Sequence, residues 1–346
     1  MSEEQVAPET RGVTVKLLAT VDLGPEIEGM TGRHLMISAM RTTTSWLLLA
    51  AAALATASCS GPRGSTGEAR ADSPGTAAAA MRVSNNGVFI DHRSCGRGDT
   101  TLLFVHGWAI DQTYWSNQME EFCPEYHVVT FDLPGFGKSG RNREAWTVAN
   151  YASDVRAVID QLHLDNVVLI GHSMAGDIML EAALDNDKVL ALVGVDNFKR
   201  VGVAYTDDMR TRIADFIHQL RANFDATAVA YVRKDLFQPT TDTTVRHRVT
   251  RSVEDVDPAI ATATLKGVFE YAPREAERLS ELKKPLYLIN SSATPTDTAA
   301  LRSTGVAFEV FDVGPTGHYP MVEDPQAFNS LLREVLRDIG AGTRRQ

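Results

Sequence analysis

Residues 167–176 read Val-Val-Leu-Ile-Gly-His-Ser-Met-Ala-Gly, and this stretch decides the fold. Its first four residues are apolar and mostly β-branched, which is typical of a strand buried in a parallel sheet. A stretch compatible with a helix, Met179 to Leu184, follows the turn. The sequence therefore predicts a sharp strand-to-helix turn that exposes the hydroxyl of Ser173. The neighbours of the serine are small because the two backbones pass close together at such a turn.

Strand and helix signals alternate on both sides of this turn. Apolar residues at steps of three and four predict a helix that opens at Thr147. The predicted strands are 88–90, 102–105, 128–131, 189–195, 286–289 and 306–311. Strands that alternate with helices predict an α/β fold with a doubly wound, mostly parallel sheet and right-handed crossovers.

The alternation stops between residues 197 and 282, where the pattern is helical. Asp257-Pro258 is a helix start, because aspartate accepts from free backbone N–H groups and proline suits the first turn. We therefore predict an inserted helical cap at about 197–282, over the active site. Its aromatic and methionine side chains have helical spacing, which is more typical of the core of the cap than of substrate contacts. These side chains are Met209, Phe216, Phe237, Phe269 and Tyr271.

Four short motifs accompany this pattern, and their order and spacing resemble the α/β-hydrolase superfamily over about residues 83–340. The motifs are H-G-W at 106–108, D-L-P-G-F-G-K-S-G at 132–140, G-H-S-M-A-G at 171–176 and G-H-Y-P at 317–320. The resemblance implies that the turn at Ser173 is the nucleophile elbow of this superfamily. Ala175 stands where the usual G-x-S-x-G pattern has its last glycine.

The resemblance also implies a catalytic triad, which runs nucleophile, acid and histidine along the chain. This order assigns Ser173 as the nucleophile and His318 as the base. In most members the acid follows the strand that corresponds to 286–289, where Asp297 is the nearest carboxylate but equally suits a helix N-cap. Some members carry the acid after the preceding strand, where Asp196 stands, and we favour Asp196 over the alternative Asp297.

An oxyanion hole is the second implied part of the site, namely a pair of N–H donors that hold the tetrahedral intermediate. We expect the backbone N–H groups of Trp108 and Met174 to be these donors. The residues expected to support the two turns are His106, Gly107, Gly171, His172 and Gly176.

The function implied by the resemblance is that of a serine hydrolase. It would cleave an ester-like acyl bond of a small or medium, partly apolar substrate through an acyl-enzyme. A serine at the elbow, rather than an aspartate, argues against haloalkane dehalogenases and epoxide hydrolases. Two alternatives stay open. One is a non-catalytic or weakly catalytic ligand-binding or sensor protein on the same fold, and the other is an acyltransferase.

Composition excludes several other classes of protein. A formal net charge of −10 argues against non-specific binding of nucleic acid. The chain has neither a P-loop nor a G-x-G-x-x-G pattern after a strand, and no cluster of cysteine and histidine has metal-ligand spacing. We therefore expect no cofactor, no metal site and no nucleic-acid partner, and the expected partner is a small-molecule acyl substrate.

The N-terminal part has the features of an export signal. Met40-Arg41 precedes the apolar run 46–57, and small residues follow it. The run is too short to span a bilayer comfortably. Thr56-Ala57-Ser58-Cys59 resembles a bacterial lipoprotein signal, which implies lipidation of Cys59.

These observations divide the chain into three parts. Residues 1–60 form an N-terminal extension with the signal, 61–82 a flexible linker, and 83–346 the α/β-hydrolase domain that contains the cap. We expect an exported protein, lipid-anchored to a bacterial membrane on the extracytoplasmic side; the alternative is a secreted or periplasmic soluble protein. In an oxidising compartment Cys95 and Cys123 could form a disulfide.

Overall fold

The computed structural model describes residues 82–343. Cys59, the export signal and all of the predicted linker except its last residue lie outside the described residues, so they stay predictions. Within the described range, no helix is both long enough and apolar enough to cross a membrane.

Nine strands and eleven α-helices make up the described region. The strands are β1 (Val83–Asn85), β2 (Val88–Ile90), β3 (His92–Cys95), β4 (Thr101–Val105), β5 (His127–Phe131), β6 (Val167–His172), β7 (Val189–Val195), β8 (Leu286–Asn290) and β9 (Phe308–Asp312). The helices are α1 (Ser116–Phe122), α2 (Val148–Gln161), α3 (Ala175–Ala183), α4 (Asp207–Ala222), α5 (Phe224–Tyr231), α6 (Thr243–Glu254), α7 (Pro258–Tyr271), α8 (Glu275–Glu281), α9 (Thr298–Thr304), α10 (Pro320–Glu323) and α11 (Pro325–Thr343).

The central sheet has seven strands in the order β3-β5-β4-β6-β7-β8-β9. All neighbours are parallel except the edge strand β3, which is antiparallel to β5. The strands β4, β6 and β8 are buried along their whole length, as expected where helices cover both faces of a parallel sheet. The predicted α/β fold with a doubly wound, mostly parallel sheet is confirmed.

The structure differs from the sequence prediction at both ends of the fold. Residues 88–90 do not join the central sheet but pair with β1 in a separate two-stranded antiparallel sheet. The edge strand β3 was not predicted, because its sequence has no apolar pattern. Its backbone pairing with β5 is what keeps it extended. The last strand begins at Phe308 rather than at 306, because Gly305 ends α9 with a φ of +80° and two more residues lead into the sheet.

Five helices, α4 to α8, lie between β7 and β8, where the sequence predicted the cap. Three of them start on side-chain N-caps, and Asp242 accepts from the N–H of Thr244 at the start of α6. Thr206 accepts from the N–H of Met209 at the start of α4. Asp257 accepts from two N–H groups at the start of α7, with Pro258 in its first turn. The chain therefore leaves the sheet directly after β7 and returns to it at β8.

A disulfide joins Cys95, at the end of β3, to Cys123, which follows α1. The two Cα atoms are 5.5 Å apart, which is within the usual range for this bond. The bridge fixes the antiparallel edge strand to the helical layer beside it. Such bonds are typical of proteins from oxidising compartments.

Candidate active site

Ser173 stands at the turn between β6, which ends at His172, and α3, which begins at Ala175. Its φ of +55° lies in the left-handed region, which costs a non-glycine residue about 1–2 kcal/mol. Two backbone hydrogen bonds hold the turn. The N–H of Ser173 donates to the carbonyl of Val195 at 3.0 Å, and the N–H of Gly176 donates to the carbonyl of Ser173 at 2.9 Å.

The two glycines of the elbow lie where backbone and side chains approach closely. A Cβ on Gly171 would lie 2.8 Å from the carbonyl oxygen of Ala175, and one on Gly176 would lie 2.7 Å from Nδ2 of Asn197. The same amide of Asn197 donates to the carbonyl of Gly171 at 2.9 Å and to that of Ser173 at 3.3 Å. Asn197, which the sequence analysis did not single out, therefore fixes the backbone of the turn.

The structure brings three of the predicted site residues into one hydrogen-bonded row. Nε2 of His318 lies 2.8 Å from Oγ of Ser173. Nδ1 of the same ring lies 2.6 Å from Oδ2 of Asp196. His318 comes from the loop after β9, and Asp196 follows β7 directly. Side chains that lie 145 residues apart in the chain thus meet at the carboxyl edge of the sheet.

The carboxylate of Asp196 is 8% exposed and accepts three hydrogen bonds. Besides His318, the donors are the backbone N–H of Ser291 at 3.0 Å and Nζ of Lys199 at 2.5 Å. Burial alone would raise the pKa of the Asp196 carboxyl. The hydrogen bond and charge of His318, together with the Lys199 ammonium, outweigh burial and lower this pKa to about 2. Asp196 is therefore ionised at neutral pH.

The alternative acid, Asp297, has a different place in the structure. Its Oδ1 accepts from the N–H groups of Ala299 and Ala300, at 3.1 and 2.9 Å. The residue is exposed and is the N-cap of α9. The carboxylate in contact with His318 is that of Asp196, and Asp297 has the helix-capping position that the sequence also suggested for it.

The two residues that carry the expected oxyanion donors lie at the same cavity as Ser173. Trp108 and Met174 both line this cavity. Within residues 82–343, no backbone acceptor takes up the N–H of either residue. The indole Nε1 of Trp108 donates to the carbonyl of Ala261 in α7 at 2.8 Å, so the loop that carries one donor is attached to the cap.

His106 and Gly107 shape the loop that precedes Trp108. The His106 ring bonds the carbonyl of Gly107 through Nδ1 at 2.8 Å and accepts from the N–H of Leu133 through Nε2 at 2.9 Å. Burial lowers the pKa of His106, so the ring is neutral. A Cβ on Gly107 would lie 2.4 Å from Nδ1 of His172. Glycine is required here because this loop passes directly over the elbow.

His172 contacts both the backbone and the ring of His318. Its Nε2 lies 2.7 Å from the carbonyl oxygen of His318, and the two ring centroids are 4.8 Å apart. Burial, reinforced by the neighbouring His318, lowers the pKa of His172 to about 3. The ring is thus neutral, and its Nε2–H donates to that carbonyl. His172 therefore positions the His318 backbone without adding a charge beside it.

The cavity above Ser173 has a volume of about 160 Å³. The cap supplies most of its apolar wall, namely Tyr231, Leu236, Leu265, Val268 and Phe269. Of the five aromatic and methionine side chains named in the sequence analysis, Phe269 alone lines this cavity. The other four are buried elsewhere: Met209, Phe216, Phe237 and Tyr271.

Two hydrogen-bonded carboxyl groups line the same cavity. Asp177, in the first turn of α3, is hydrogen-bonded to Glu275, the first residue of α8. Burial and the neighbouring Glu275 raise the pKa of Asp177 well above its usual value, and burial raises that of Glu275 to about 7. One turn further along, Glu181 of α3 forms an ion pair with Arg278 of α8 at 2.8 Å. These contacts join the nucleophile helix to the last helix of the cap, and nothing in the sequence pattern indicated them.

We expect this carboxyl pair to make stability depend on pH. Glu275 has a raised pKa in the folded state, so its contribution to stability is present below about pH 4.5 and is lost as pH rises through about 7. The double variant Asp177→Asn/Glu275→Gln removes both titrations and should keep a hydrogen bond between the two side chains. It should therefore be about as stable as wild type at pH 5 and more stable at pH 8, by on the order of 2 kcal/mol.

Urea unfolding at the two pH values measures this difference. The buried neutral histidines also make the free energy of unfolding fall as the pH falls. Because this effect is the same in wild type and variant, comparing the two at the same pH removes it. Glu277→Gln, an exposed position on α8, is the matched control and should give the same difference at both pH values. If the double variant does the same, the raised pKa values of this carboxyl pair do not affect folding.

Within residues 82–343, no group of three or more histidine, cysteine, aspartate and glutamate side chains is arranged to hold a metal ion. The chemistry available at this site is that of a hydroxyl, an imidazole, a carboxylate and backbone N–H donors.

Comparison with known proteins gives the same assignment of fold. A model described as "Alpha/beta hydrolase family" matches residues 102–331, which is more than half of the chain. The solved structure of a thermophilic esterase from Thermogutta terrifontis superimposes with a TM-score of 0.66 at 21% identity, over 75% of this chain and 98% of that one. At this identity the likeness shows the fold alone.

The names of two curated relatives describe different roles. The dihydrolipoyllysine-residue acetyltransferase component of the acetoin cleaving system of Cupriavidus necator is 28% identical, over 75% of this chain and 70% of that protein. The karrikin insensitive 2 receptor CA of Petunia hybrida is 24% identical, over 70% of this chain and 94% of the receptor. The matching proteins thus include enzymes and a receptor.

Proposed function

Because the chain belongs to the alpha/beta hydrolase family, we propose that it is a serine hydrolase that cleaves an ester-like acyl bond through an acyl-enzyme. The observation that carries this proposal is the row of hydrogen bonds from Ser173 through His318 to Asp196, at 2.8 and 2.6 Å. Both distances are short enough for proton transfer and for fixing the imidazole. A hydroxyl nucleophile favours acyl transfer to water over reactions that need a carboxylate nucleophile at the elbow.

In the first half of the reaction, Oγ of Ser173 attacks the acyl carbon and Nε2 of His318 takes the hydroxyl proton. The carbon–oxygen bond to the alcohol then breaks, and the imidazolium gives its proton to the leaving alkoxide. Asp196 holds Nδ1–H of His318, which fixes the tautomer and stabilises the imidazolium.

The tetrahedral intermediate carries a negative oxygen, which the N–H groups of Trp108 and Met174 would hold. Removing one such donor typically costs about 3–4 kcal/mol of the barrier. Water then attacks the acyl-enzyme in the second half of the reaction. Its proton passes to His318, and the Ser173 hydroxyl is restored as the carboxylic acid leaves.

The size of the cavity supports a small acyl group. Its volume of about 160 Å³ is similar to that of a dry engineered cavity of about 150 Å³ in another protein, which holds one benzene molecule. Drug-sized ligands occupy pockets of about 300–1,000 Å³. The apolar wall from the cap suits a short hydrocarbon chain or a small ring.

A series of p-nitrophenyl esters from acetate to decanoate tests this proposal. We expect kcat/KM to be greatest for acyl chains of a few carbons and to fall at least about tenfold by decanoate, because the longer chain does not fit. Phe269→Ala enlarges the cavity and should move the optimum to longer chains. Phe311→Ala, on the edge strand β9, is the matched control and should leave the optimum in place. A wild-type optimum at decanoate would contradict the proposed substrate size.

Acyl transfer is the second candidate, favoured by the name of the Cupriavidus necator relative. The two candidates differ only in what attacks the acyl-enzyme. Product analysis with a short alcohol added to the reaction separates them: a hydrolase gives mainly the free acid, and a transferase gives mainly the new ester.

A further inference from the structure

Lys199 is a largely buried cation next to the proposed triad, and it takes part in none of the proton transfers of the proposed reaction. Its side chain is 11% exposed. Nζ lies 2.5 Å from Oδ1 of Asp196 and donates to the carbonyl of Ser291 at 3.1 Å. Taking an ammonium group out of water costs several kcal/mol unless it is well paired. An apolar side chain would fill the same space without this cost, so packing alone does not explain a lysine here.

The backbone after β7 is shaped to bring this lysine back over Asp196. Asp196 and Phe198 have φ values of +51° and +50°, which are strained for non-glycine residues. The resulting tight turn places the ammonium of Lys199 on the carboxylate three residues earlier. The carbonyl of Lys199 is also fixed, since it accepts from the N–H of Asp297 at 2.8 Å.

Ser291, which directly follows the neighbouring strand β8, completes the arrangement. Its N–H donates to Oδ1 of Asp196, and its carbonyl accepts from Nζ of Lys199. Oδ1 is therefore held by two donors, and Oδ2 is left for Nδ1 of His318. The carboxylate can rotate away from the imidazole only by breaking both bonds at Oδ1.

We propose that Lys199 is a positioning residue of this site, which fixes the Asp196 carboxylate for His318 and offsets the charge that this carboxylate presents to the imidazole. The proposal rests on the proposed function, because it concerns the same three residues. A lone carboxylate beside an imidazole favours the protonated ring, and a second cation on that carboxylate opposes this effect.

Other ionisable groups of the described region lie around His318, and the Glu323 carboxylate accepts from the N–H groups of Gly317 and Tyr319 on either side of it. Asp196 is the carboxylate in contact with the His318 ring, His172 is neutral, and Tyr319 packs edge-on with the centroids 5.4 Å apart. Burial raises the pKa of the Tyr319 phenol well above its usual value, so it carries no charge in the working range. A substitution that removes the charge of Lys199 therefore tests how this charge acts on His318 through Asp196.

The test measures the His318 pKa by NMR titration of the imidazole and, separately, the acid limb of the pH profile of kcat/KM. In Lys199→Met both should move up by about 1 pH unit, because the opposing cation is gone. Lys199→Arg keeps the charge and should stay within about 0.3 units of wild type. Lys188→Met, which breaks a surface ion pair with Asp160, is the matched control and should move neither quantity. Should Lys199→Met fail to fold, Lys199→Gln takes its place.

An unchanged His318 pKa in the folded Lys199→Met or Lys199→Gln protein would overturn the proposal. So would an equal shift in Lys199→Arg, because packing rather than charge would then be responsible. The NMR titration needs no turnover. If wild type hydrolyses no ester but the pKa still moves in the methionine variant, the role of Lys199 stands and the proposed hydrolase function fails.

Discussion

Ser173→Ala should lose ester turnover by a factor of at least about 10⁴, and covalent labelling by a fluorophosphonate probe should disappear. Removal of the nucleophile from serine hydrolases typically costs on the order of 10⁶ in kcat. The oxyanion donors and the binding cavity remain, so a residual rate above that in water is expected. Stopped assays with p-nitrophenyl butyrate and gel-based detection of the probe measure the two effects.

The variant should fold normally. A φ of +55° is as unfavourable for alanine as for serine, so the backbone strain of the turn is unchanged. The substitution removes only the hydrogen bond to His318. We expect the free energy of unfolding to change by about 1 kcal/mol or less. Ser280→Ala, at an exposed serine on α8, is the control and should keep full labelling and turnover.

A wild-type protein that is not labelled but binds a ligand would contradict the hydrolase proposal and favour the sensor alternative. Labelling that persists in Ser173→Ala would show that another residue reacts with the probe.

Asp196→Asn should have the second largest effect, a fall in kcat/KM of about 10⁴. The size is taken from the aspartate-to-asparagine change in another serine hydrolase, where the asparagine stabilises the wrong imidazole tautomer. In this protein the same change also removes the partner of the Lys199 ammonium. That buried charge should further reduce stability, which is measured by urea unfolding alongside the kinetics.

Asp297→Asn is the matched control for the acid. Asparagine caps a helix about as well as aspartate, so the N-cap of α9 should survive with little change in stability. The hydrogen bonds described for the Asp297 side chain go to the first turn of that helix, and the substitution leaves its backbone N–H on the carbonyl of Lys199, so kcat/KM should stay within about threefold of wild type. A large loss in Asp297→Asn together with near-normal turnover in Asp196→Asn would reverse the assignment of the acid.

Local patterns in the sequence were sufficient to predict the main helices and strands of the fold. The β-branched run before Gly171 predicted β6, and Thr147 and Asp257-Pro258 marked helix starts that the structure confirms. These signals act between neighbours in the sequence, since capping, turn strain and burial of one strand depend on a few adjacent residues. The edge strand β3 was missed because backbone pairing with β5, and no apolar pattern, holds it in place.

The parts of the site that depend on distant contacts were not accessible in the same way. The sequence offered both Asp196 and Asp297 as the acid, because each carboxylate follows a strand and the distance to an imidazole more than 20 residues away is a property of the folded chain. The structure places Asp196 at 2.6 Å from His318.

The sequence by itself determined the order of the elements and the sharp turn at Ser173, since each rests on residues within short segments. The candidate nucleophile and base came from the order of the motifs along the chain, which resembles that of the α/β-hydrolase superfamily. Only the tertiary structure decided which carboxylate meets the histidine, that Lys199 and Ser291 hold it, and that Asp177 meets Glu275. These pairs come together because parallel strands end at the same edge of the sheet and because the cap returns to the nucleophile helix. Such contacts follow from packing between segments, which leaves no local pattern in the chain.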